Sequence, residues 1–474
     1  MAADQGRPRS ELDLSVPRRI HVVAAGGAGM SAIARVLAGS GHHVSGSDSS
    51  DGARLRSLAA IGVQTMVGHS AGNLGDAGDL DALVVSSAVG EDNVEVEQAR
   101  RSGVPVYDRR RFLPLLADRQ PLLSVSGTHG KTTTSSMLAV ALRGAGVEIS
   151  WLIGADVPAL GSPAAYHPGP YLVLEADESD GSFLASPRAG AVVTNLEADH
   201  LEYWGDWEAL RSGFVEFVEG TDGPVVLCAD DPATAELASC RARDRIITYG
   251  TSGAADVRLG ALDEGADHSS FQLHSAGRTR EVTLGMPGRH NALNATGALA
   301  LVDALGHDLD RAAQALASHS GVYRRFETLG RSGGVSVVDD YAHLPSEVEA
   351  ILAAARSRSK GRLVVVYQPH RYSRTQALAG SFAASFVDAD VVVITELYPA
   401  GEKARPGVSG RLVLDAVSAQ HRGPVIWAAD LDAAASAVLD LAQPGDTVLT
   451  VGAGDVRTVG EIVLGALDAS GERQ

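Results

Sequence analysis

Residues 126–134, SGTHGKTTT, lie between an apolar run, PLLSV, and a segment with helical periodicity. A glycine turn in that position constrains the fold more than any other feature of the chain. The N–H groups of the turn and of the first helical turn converge on one point that suits an anion, and the strand before it belongs in a parallel sheet. Lys131 adds a positive point charge, and Thr132 a hydroxyl that can reach Mg²⁺. Val125 stands where the longer phosphate-loop motif has its first glycine, so the loop is of a shortened GxxGKT type. The chain has three lysines, Lys131, Lys360 and Lys403, and one falls here, which argues against an ordinary glycine turn before a Thr-rich helix start.

The rest of the chain reads as α/β throughout. RRIHVVAA, a glycine loop opening the helix GGAGMSAIARVL, and HHVSGSD form a βαβ start, and alternation continues through Leu83–Ser87, Val94–Arg101 and Val104–Tyr107. A second sheet restarts at PLLSVSG and runs through YLVLE, GAVVTN and GPVVLC, with short alternating stretches over residues 256–284 that suggest an antiparallel extension. A third block from about Gly321 carries VSVVDD, RLVVVYQ, DVVVITE and DTVLTVG. At 474 residues, about 100–200 per domain predicts three α/β domains in series. They are a Rossmann-like sheet over 18–118, a P-loop ATPase-like sheet over 119–322 and a Rossmann-like domain over 323–474, after a loose polar arm, 1–17.

Net charge −18 speaks against a nucleic-acid partner, since no basic face is evident to override it. Two cysteines, Cys228 and Cys240, lack metal-ligand spacing, and neither a secretory leader nor a run of about 18 apolar residues is present, so a cytoplasmic location without membrane insertion is expected.

Two acidic stretches follow apolar strands. YLVLEADESDGSF puts Glu175 at a strand end, followed by Asp177, Glu178 and Asp180, and NLEADHLEYWG brings Glu197, Asp199 and His200 to the same edge. Loops at the carboxyl ends of parallel strands are where α/β sites form. Thr132 and Glu175 suit Mg²⁺, while His200 is a softer ligand that can instead hold a metal-bound water or accept a proton. Asp177 and Asp180 are as easily read as helix caps.

With GGAGMS, GTHGKTTT, EADESDGSF, NLEADH, GRHNALNA, YRRFE, DDYAH, QPHRYSRT, AGE and GAGDV in this order, nearly the whole chain resembles the Mur ligases, and among them the alanine-adding members. The resemblance implies that ATP phosphorylates the lactyl carboxylate of UDP-N-acetylmuramate and that the amine of L-alanine then displaces phosphate, beginning the peptide stem of peptidoglycan. Gly127, Thr128, His129, Gly130, Lys131, Thr132 and Thr133 would cradle the ATP phosphates, with Thr132, Glu175 and His200 around Mg²⁺. His290, Asn291 and Asn294 resemble the adenine-side motif, Arg325 the residue that reaches the phosphates and Asp340 the ribose partner. Tyr341, His343, His370, Arg371 and Arg374 resemble the amino-acid pocket. Gly26, Gly27, Gly29, Met30 and Ser31 resemble the diphosphate loop, with Asp48, His69, Ser86 and Ser87 near the uridine, and His129 and Asn195 also on the substrate side. Either His200 or His343 could take the amine proton. A monomer or homodimer is expected.

The chain departs from the family pattern in places. Ala24 and Ala32 replace glycines of the nucleotide loop, Leu344 stands where a second histidine is common, and no lysine lies between Lys131 and Lys360 to be carbamylated as a metal ligand, as in several sister ligases. A dehydrogenase reading, from Gly26, Gly29 and Asp48 alone, ignores the phosphate loop. A recycling ligase that adds a whole tripeptide shares the core motifs, but QPHRYSRT and NLEADHLEYW favour alanine. A non-catalytic nucleotide-binding regulator would not need Lys131, Glu175 and His200 together.

Overall fold

The computed structural model describes residues 12–86, 89–239, 245–265 and 268–471. The chain divides into two compact units, residues 1–320 and 321–474. The first unit holds two sheets and the second holds one, which gives the three-domain α/β architecture expected from the sequence.

In the first sheet, β1 (Arg19–Val23), β2 (His43–Asp48), β3 (Gln64–Val67), β4 (Ala82–Val85) and β5 (Val106–Asp108) lie in the order β3-β2-β1-β4-β5. All neighbours are parallel. The chain winds outward from β1 to β3, then returns to β4 on the other side of β1. That reversal opens a crevice at the carboxyl ends of β1 and β4, where residues 24–27 and Ser86 lie.

The second sheet has ten strands: β6 (Leu122–Ser126), β7 (Ile149–Leu152), β8 (Ala164–Ala165), β9 (Tyr171–Glu175), β10 (Arg188–Val193), β11 (Val225–Cys228), β12 (Ile246–Gly250), β13 (Val257–Glu264), β14 (Ser269–Ser275) and β15 (Arg278–Leu284). β6 lies between β9 and β10, parallel to both, with Val125 opposite Glu175 and Ser126 opposite Val193. The antiparallel extension is β13–β15, where alternating burial along β14 matches the alternating sequence. The helix Lys131–Gly144 is buried from Thr132 to Leu142 and packs on the helix Arg289–Ala304.

The first two sheets do not have fully separate cores. Leu152, Leu172 and Leu174 of the second sheet join Ile33, Leu37 and Phe112 of the first in one buried cluster. The arm read as loose over 1–17 is in part packed there. Leu12 and Leu14 are 5% and 3% exposed within that cluster, and Arg119 donates to the Leu14 carbonyl. Their alternation, Leu-x-Leu, was the signal, obscured by polar neighbours.

In the second unit, β16 (Glu327–Ser332), β17 (Val335–Asp340), β18 (Leu363–Tyr367), β19 (Val391–Thr395), β20 (Val425–Ala428) and β21 (Thr447–Val451) lie in the order β16-β17-β21-β18-β19-β20, antiparallel only at β16. Apolar clusters cover both faces. No helix among the described residues is long and apolar enough to cross a membrane.

Leu14→Ala should lower stability by about 2–3 kcal/mol, the usual effect of truncating a packed leucine. Denaturant unfolding of the full chain checks this, and an unchanged midpoint would return the segment to a loose arm.

Candidate active site

The reversal of strand order around β6 brings three loops to one edge. The loop after β6 holds residues 127–130 and leads into the helix that begins at Lys131. Gly127 has φ +126°, and a Cβ there would fall 2.2 Å from Thr194 Oγ1; Gly130 has φ +78°, and its Cβ would fall 2.9 Å from Asn294 Oδ1. Both positions need glycine on conformation and on space. The loop is tied to the one after β10: Thr128 N donates to Asn195 O at 2.9 Å, His129 N to Asn195 Oδ1 at 2.8 Å and Glu197 N to Thr128 Oγ1 at 2.8 Å.

The loop after β9 supplies the charge. Thr132 Oγ1 donates to Glu175 Oε1 at 2.8 Å, and Gly154 N to Glu175 Oε2 at 2.7 Å. Lys131 Nζ donates to Gly127 O at 2.8 Å and to Glu178 Oε1 at 2.9 Å. Burial pulls the lysine pKa down, but Glu178 and Asp177 outweigh it and hold the ammonium above its ordinary value. Burial, with Asp177 beside it, keeps the Glu178 carboxyl above the usual range in spite of that lysine. Asp177 is pushed up by burial, yet Lys131 and Arg109 hold it below the ordinary value.

His200 sits at φ +54°, an uncommon conformation that orients its ring, with Nε2 3.3 Å from Asp199 Oδ2. Among the described residues, Asp177, Glu178 and His200 place ligand atoms within 4.8 Å of one another, close enough to share a metal ion. Thr132 and Glu175 are thus brought together as expected, while His200 groups with Glu178 and with Asp177, which the sequence alone reads as easily as a cap. Asp180 accepts from Ser182 N at 2.9 Å in a local turn and is not a helix cap, since Gly181 holds the cap position of the short turn Ser182–Leu184 without a side-chain bond. Asp177 likewise accepts from Ser179 N, at 3.1 Å, a local turn contact with no helix behind it, so the cap reading does not hold for it either. Hard carboxylate oxygens from Glu175, Asp177 and Glu178 fit Mg²⁺.

On the helix Arg289–Ala304, Asn294 faces Gly130, whereas Asn291 is buried and donates to Pro287 O at 2.8 Å. His290 is on the same first turn.

At the edge of the first sheet, Gly26 N donates to Asp48 Oδ2 at 2.9 Å. Ala24 takes φ +61°, the geometry glycine would hold at no cost, at a penalty of roughly 1–2 kcal/mol for a residue with a Cβ. Gly27 opens the helix Ala28–Gly39 as its cap residue, while Met30 and Ala32 are core residues and Ser31 Oγ donates to Ala28 O at 2.9 Å. His69 Nδ1 is 2.9 Å from Glu95 Oε2, a fully buried carboxylate that also accepts from Ser47 Oγ at 2.7 Å. Ser86 lies just past β4, and Ser87 lies outside the described residues. Arg109 has Nη1 3.7 Å from a Cβ built on Gly29, and its charge acts on Asp177. It therefore stands between the glycine loop and the acidic cluster. Its position directly after β5, at the carboxyl edge, was the available signal.

In the second unit, residues after β17 and β18 meet. His343 Nδ1 is 3.0 Å from Tyr341 O and 3.4 Å from Glu347 Oε2, its ring centroid is 5.6 Å from that of His370, and Arg374 Nη1 is 3.1 Å from His370 Nδ1. Arg371, at φ +66°, donates its N–H to Tyr398 O at 2.8 Å. Of the two arginines in YRRFE, Arg324 binds Asp339 and the carbonyls of Gly452 and Gly454 at 2.7–2.9 Å, whereas Arg325 lies over the Tyr341 ring, 5.3 Å from its centroid. Asp340 accepts from Phe326 N and Ala342 N, each at 2.7 Å, and burial lifts its carboxyl to about 6 against the pull of Arg325.

Three family domains match the chain in series: the Mur ligase family catalytic domain over residues 19–121, the Mur ligase middle domain over 125–302 and the Mur ligase glutamate ligase domain over 324–454. Among curated relatives, UDP-N-acetylmuramate–L-alanine ligase of Kineococcus radiotolerans is 47% identical over 95% of this chain and 96% of its own length. That of Rubrobacter xylanophilus is 43% identical over 95% and 100%. The crystal structure of the UDP-N-acetylmuramate-alanine ligase of Thermotoga maritima is 30% identical, with TM-score 0.80, over 96% of this chain and 100% of that one. A murein peptide ligase from Psychrobacter arcticus shares the fold at 22% identity and TM-score 0.69.

The helix that carries Lys131 is anchored by Ser136, whose Oγ lies 3.0 Å from Nε2 of the fully buried His319. Burial lowers the His319 pKa to about 4. The unfolded chain takes up this proton near pH 6.5 and the folded chain only near 4, so this stability is complete above 6.5 and is lost as pH falls toward 4. His319→Gln should flatten that loss by up to about 1.4 kcal/mol per pH unit, the slope for one proton. Denaturant unfolding from pH 4 to 7 checks it; an unchanged slope would contradict it.

Proposed function

We propose, for a chain that belongs to the Mur ligase family, that it joins L-alanine to UDP-N-acetylmuramate with ATP as the energy source, through an acyl phosphate on the lactyl carboxylate. The observation that carries this reading is the convergence of the phosphate loop, Glu175 and His200 at the adjacent carboxyl ends of β6, β9 and β10. The identity of full-length relatives supports alanine as the amino acid over a tripeptide.

On this reading, the residue 127–130 loop and the helix start at Lys131 receive the ATP phosphates through backbone N–H groups, with the lysine ammonium offsetting their charge. Thr132 and Glu175, already hydrogen-bonded, would hold Mg²⁺, with His200 beside them. When bound, the ion would offset charge as the carboxylate approaches the γ-phosphate. Asn294, against the loop, and its neighbours His290 and Asn291 are assigned to the nucleotide base side, with Arg325 on the phosphates and Asp340 on the ribose. The edge of the first sheet is assigned to the UDP sugar, through Gly26, Gly27, Gly29 and Asp48, with His69 held in place by Glu95. The patch of Tyr341, His343, His370, Arg371 and Arg374 is assigned to the amino acid, whose carboxylate suits the planar fork of an arginine.

ADP release with UDP-N-acetylmuramate and a panel of amino acids tests the reading. L-alanine should support turnover; turnover with a tripeptide and none with alanine would replace it by the recycling reaction. Lys131→Ala should abolish turnover while UDP-N-acetylmuramate still binds by calorimetry, because only the phosphate site loses charge. A folded variant that no longer binds the sugar nucleotide would contradict the assignment of the first sheet.

Arg374→Ala should raise the KM for L-alanine about thirtyfold to several thousandfold, the effect of losing a charge-assisted pair worth about 2–5 kcal/mol. Positional isotope exchange in ATP with UDP-N-acetylmuramate should persist. Collapse of exchange at an unchanged alanine KM would place Arg374 on the phosphates.

A further inference from the structure

Of the ordered motifs, AGE, residues 400–402, is assigned to no substrate, yet it lies against the arginine patch. Residues 398–402 run beside the loop that carries His370 and Arg371. Tyr398 N donates to Pro369 O and Arg371 N to Tyr398 O, both at 2.8 Å, and the His370 and Tyr398 rings stack with centroids 5.9 Å apart. Ala400 and Gly401 then take φ +49° and +83°, and Glu402 N donates to Pro399 O at 2.9 Å. Positive φ at both central residues makes a tight turn in which glycine is favoured, and that turn brings Glu402 back to the same loop.

Glu402 there meets the start of the helix Tyr372–Leu378. Its Oε2 accepts from Ser373 N at 2.9 Å and its Oε1 from Ser373 Oγ. Ser373 N is the second N–H of the helix, one that a capping side chain normally satisfies. The residue in the cap position is Arg371, whose side chain offers no acceptor and makes no cap bond. Arg371 also sits at φ +66°, a conformation that persists only where its surroundings fix it. A helix of seven residues is marginal alone, so its first turn goes where outside contacts hold it. That turn carries Arg374, 8% exposed, with Nη1 3.1 Å from His370 Nδ1. Burial pushes the Glu402 carboxyl up, but the Ser373 bonds and the charge of Arg371 outweigh it and hold it below its ordinary value.

We infer that Glu402 is a positioning residue for amino-acid recognition: it caps the helix Tyr372–Leu378 from a separate loop and so fixes where Arg374 presents its guanidinium to the carboxylate of L-alanine. The inference rests on the assignment of this patch to the amino acid. A planar fork pairs with a carboxylate only in one orientation, so a displaced first turn weakens alanine binding. ATP and the sugar nucleotide are assigned to other loops, and a contact that merely stabilised the helix would not single out one of three substrates.

Steady-state ADP release by the full chain tests this. Glu402→Ala should raise the KM for L-alanine about tenfold, the effect of a lost cap passed on to binding. The KM values for ATP and UDP-N-acetylmuramate should stay within about twofold, as for sites that do not interact. Glu402→Gln keeps an acceptor for Ser373 N and should recover most of the loss. Adding Glu402→Ala to Arg374→Ala should raise the alanine KM by no more than about twofold further, because the residue it positions is gone. An unchanged alanine KM in folded Glu402→Ala, no recovery in Glu402→Gln, or full additivity in the double variant overturns the inference. Where Glu402→Ala does not fold, Ser373→Ala, which drops the hydroxyl bond alone, should raise the alanine KM by a smaller factor, and no change there overturns it as well. An unchanged alanine KM in Arg374→Ala overturns instead the pocket assignment beneath it.

Discussion

The placement of β6 between β9 and β10 is the constraint on which the rest of the first unit depends. Three parallel strands, buried on both faces, must carry their polar ends somewhere, and parallel pairing puts all three carboxyl ends on one edge. Residues 127–130, Glu175 and His200 lie far apart in sequence, yet none needs a long excursion to meet the others. Residues 127–130 follow directly on β6, Glu175 ends β9, and His200 lies in the loop after β10, each strand having its register fixed by apolar packing. The third sheet repeats the device, since β21 lies between β17 and β18 and the loops after both strands bring His343 and His370 together.

The second constraint is electrostatic. The edge so formed carries Glu175, Asp177 and Glu178 around one lysine, and burial makes every uncompensated charge unfavourable. Hydrogen bonds settle part of the imbalance: Glu175 is satisfied by Thr132 and by Gly154 N, Asp177 in part by Ser179 N. What remains is a sheet edge with more negative charge than Lys131 offsets. On the proposed reading, such an edge would take up cations and receive phosphates together with them.

Much of this was legible in the sequence, and the pattern of what was not has a physical reason. Central strands such as YLVLE, RLVVVY and VVVIT are buried on both faces and read as unbroken apolar runs. The strands not read were largely edges: β3, β16 and β20 carry exposed or half-buried residues along most of their length, so their sequences resemble loops. At the site, the glycine turn and Glu175 could be read because each needs a particular residue at a particular strand end. Asp177 and Arg109 could not, because a capping aspartate and a cluster arginine have the same sequence signature as a solvated one until the fold brings charge against them. Leu12 and Leu14 were lost for the same reason, in that two leucines acquire meaning only when a core is present to receive them.

The departures from the family pattern sharpen this view. Ala24 adopts φ +61° although it is not glycine, which shows that the turn after β1 is imposed by the sheet and by the Gly26–Asp48 bond and not by the intrinsic freedom of its residue. The missing lysine is the more instructive case. A carbamylated lysine would contribute an anionic oxygen on a long arm, and no lysine between Lys131 and Lys360 can provide one. Asp177 and Glu178 supply anionic oxygens from the strand edge itself, on short side chains whose backbone is already fixed by Ser179 and Trp204. Short, pre-positioned carboxylates lose less conformational entropy on binding an ion than a modified lysine would, and they need no added CO₂. Their disadvantage is a standing excess of negative charge, and the contact between Lys131 and Glu178 relieves part of it. Lys131 and the carboxylates that face it are therefore parts of one electrostatic unit, in which a change of charge at one changes what the other requires.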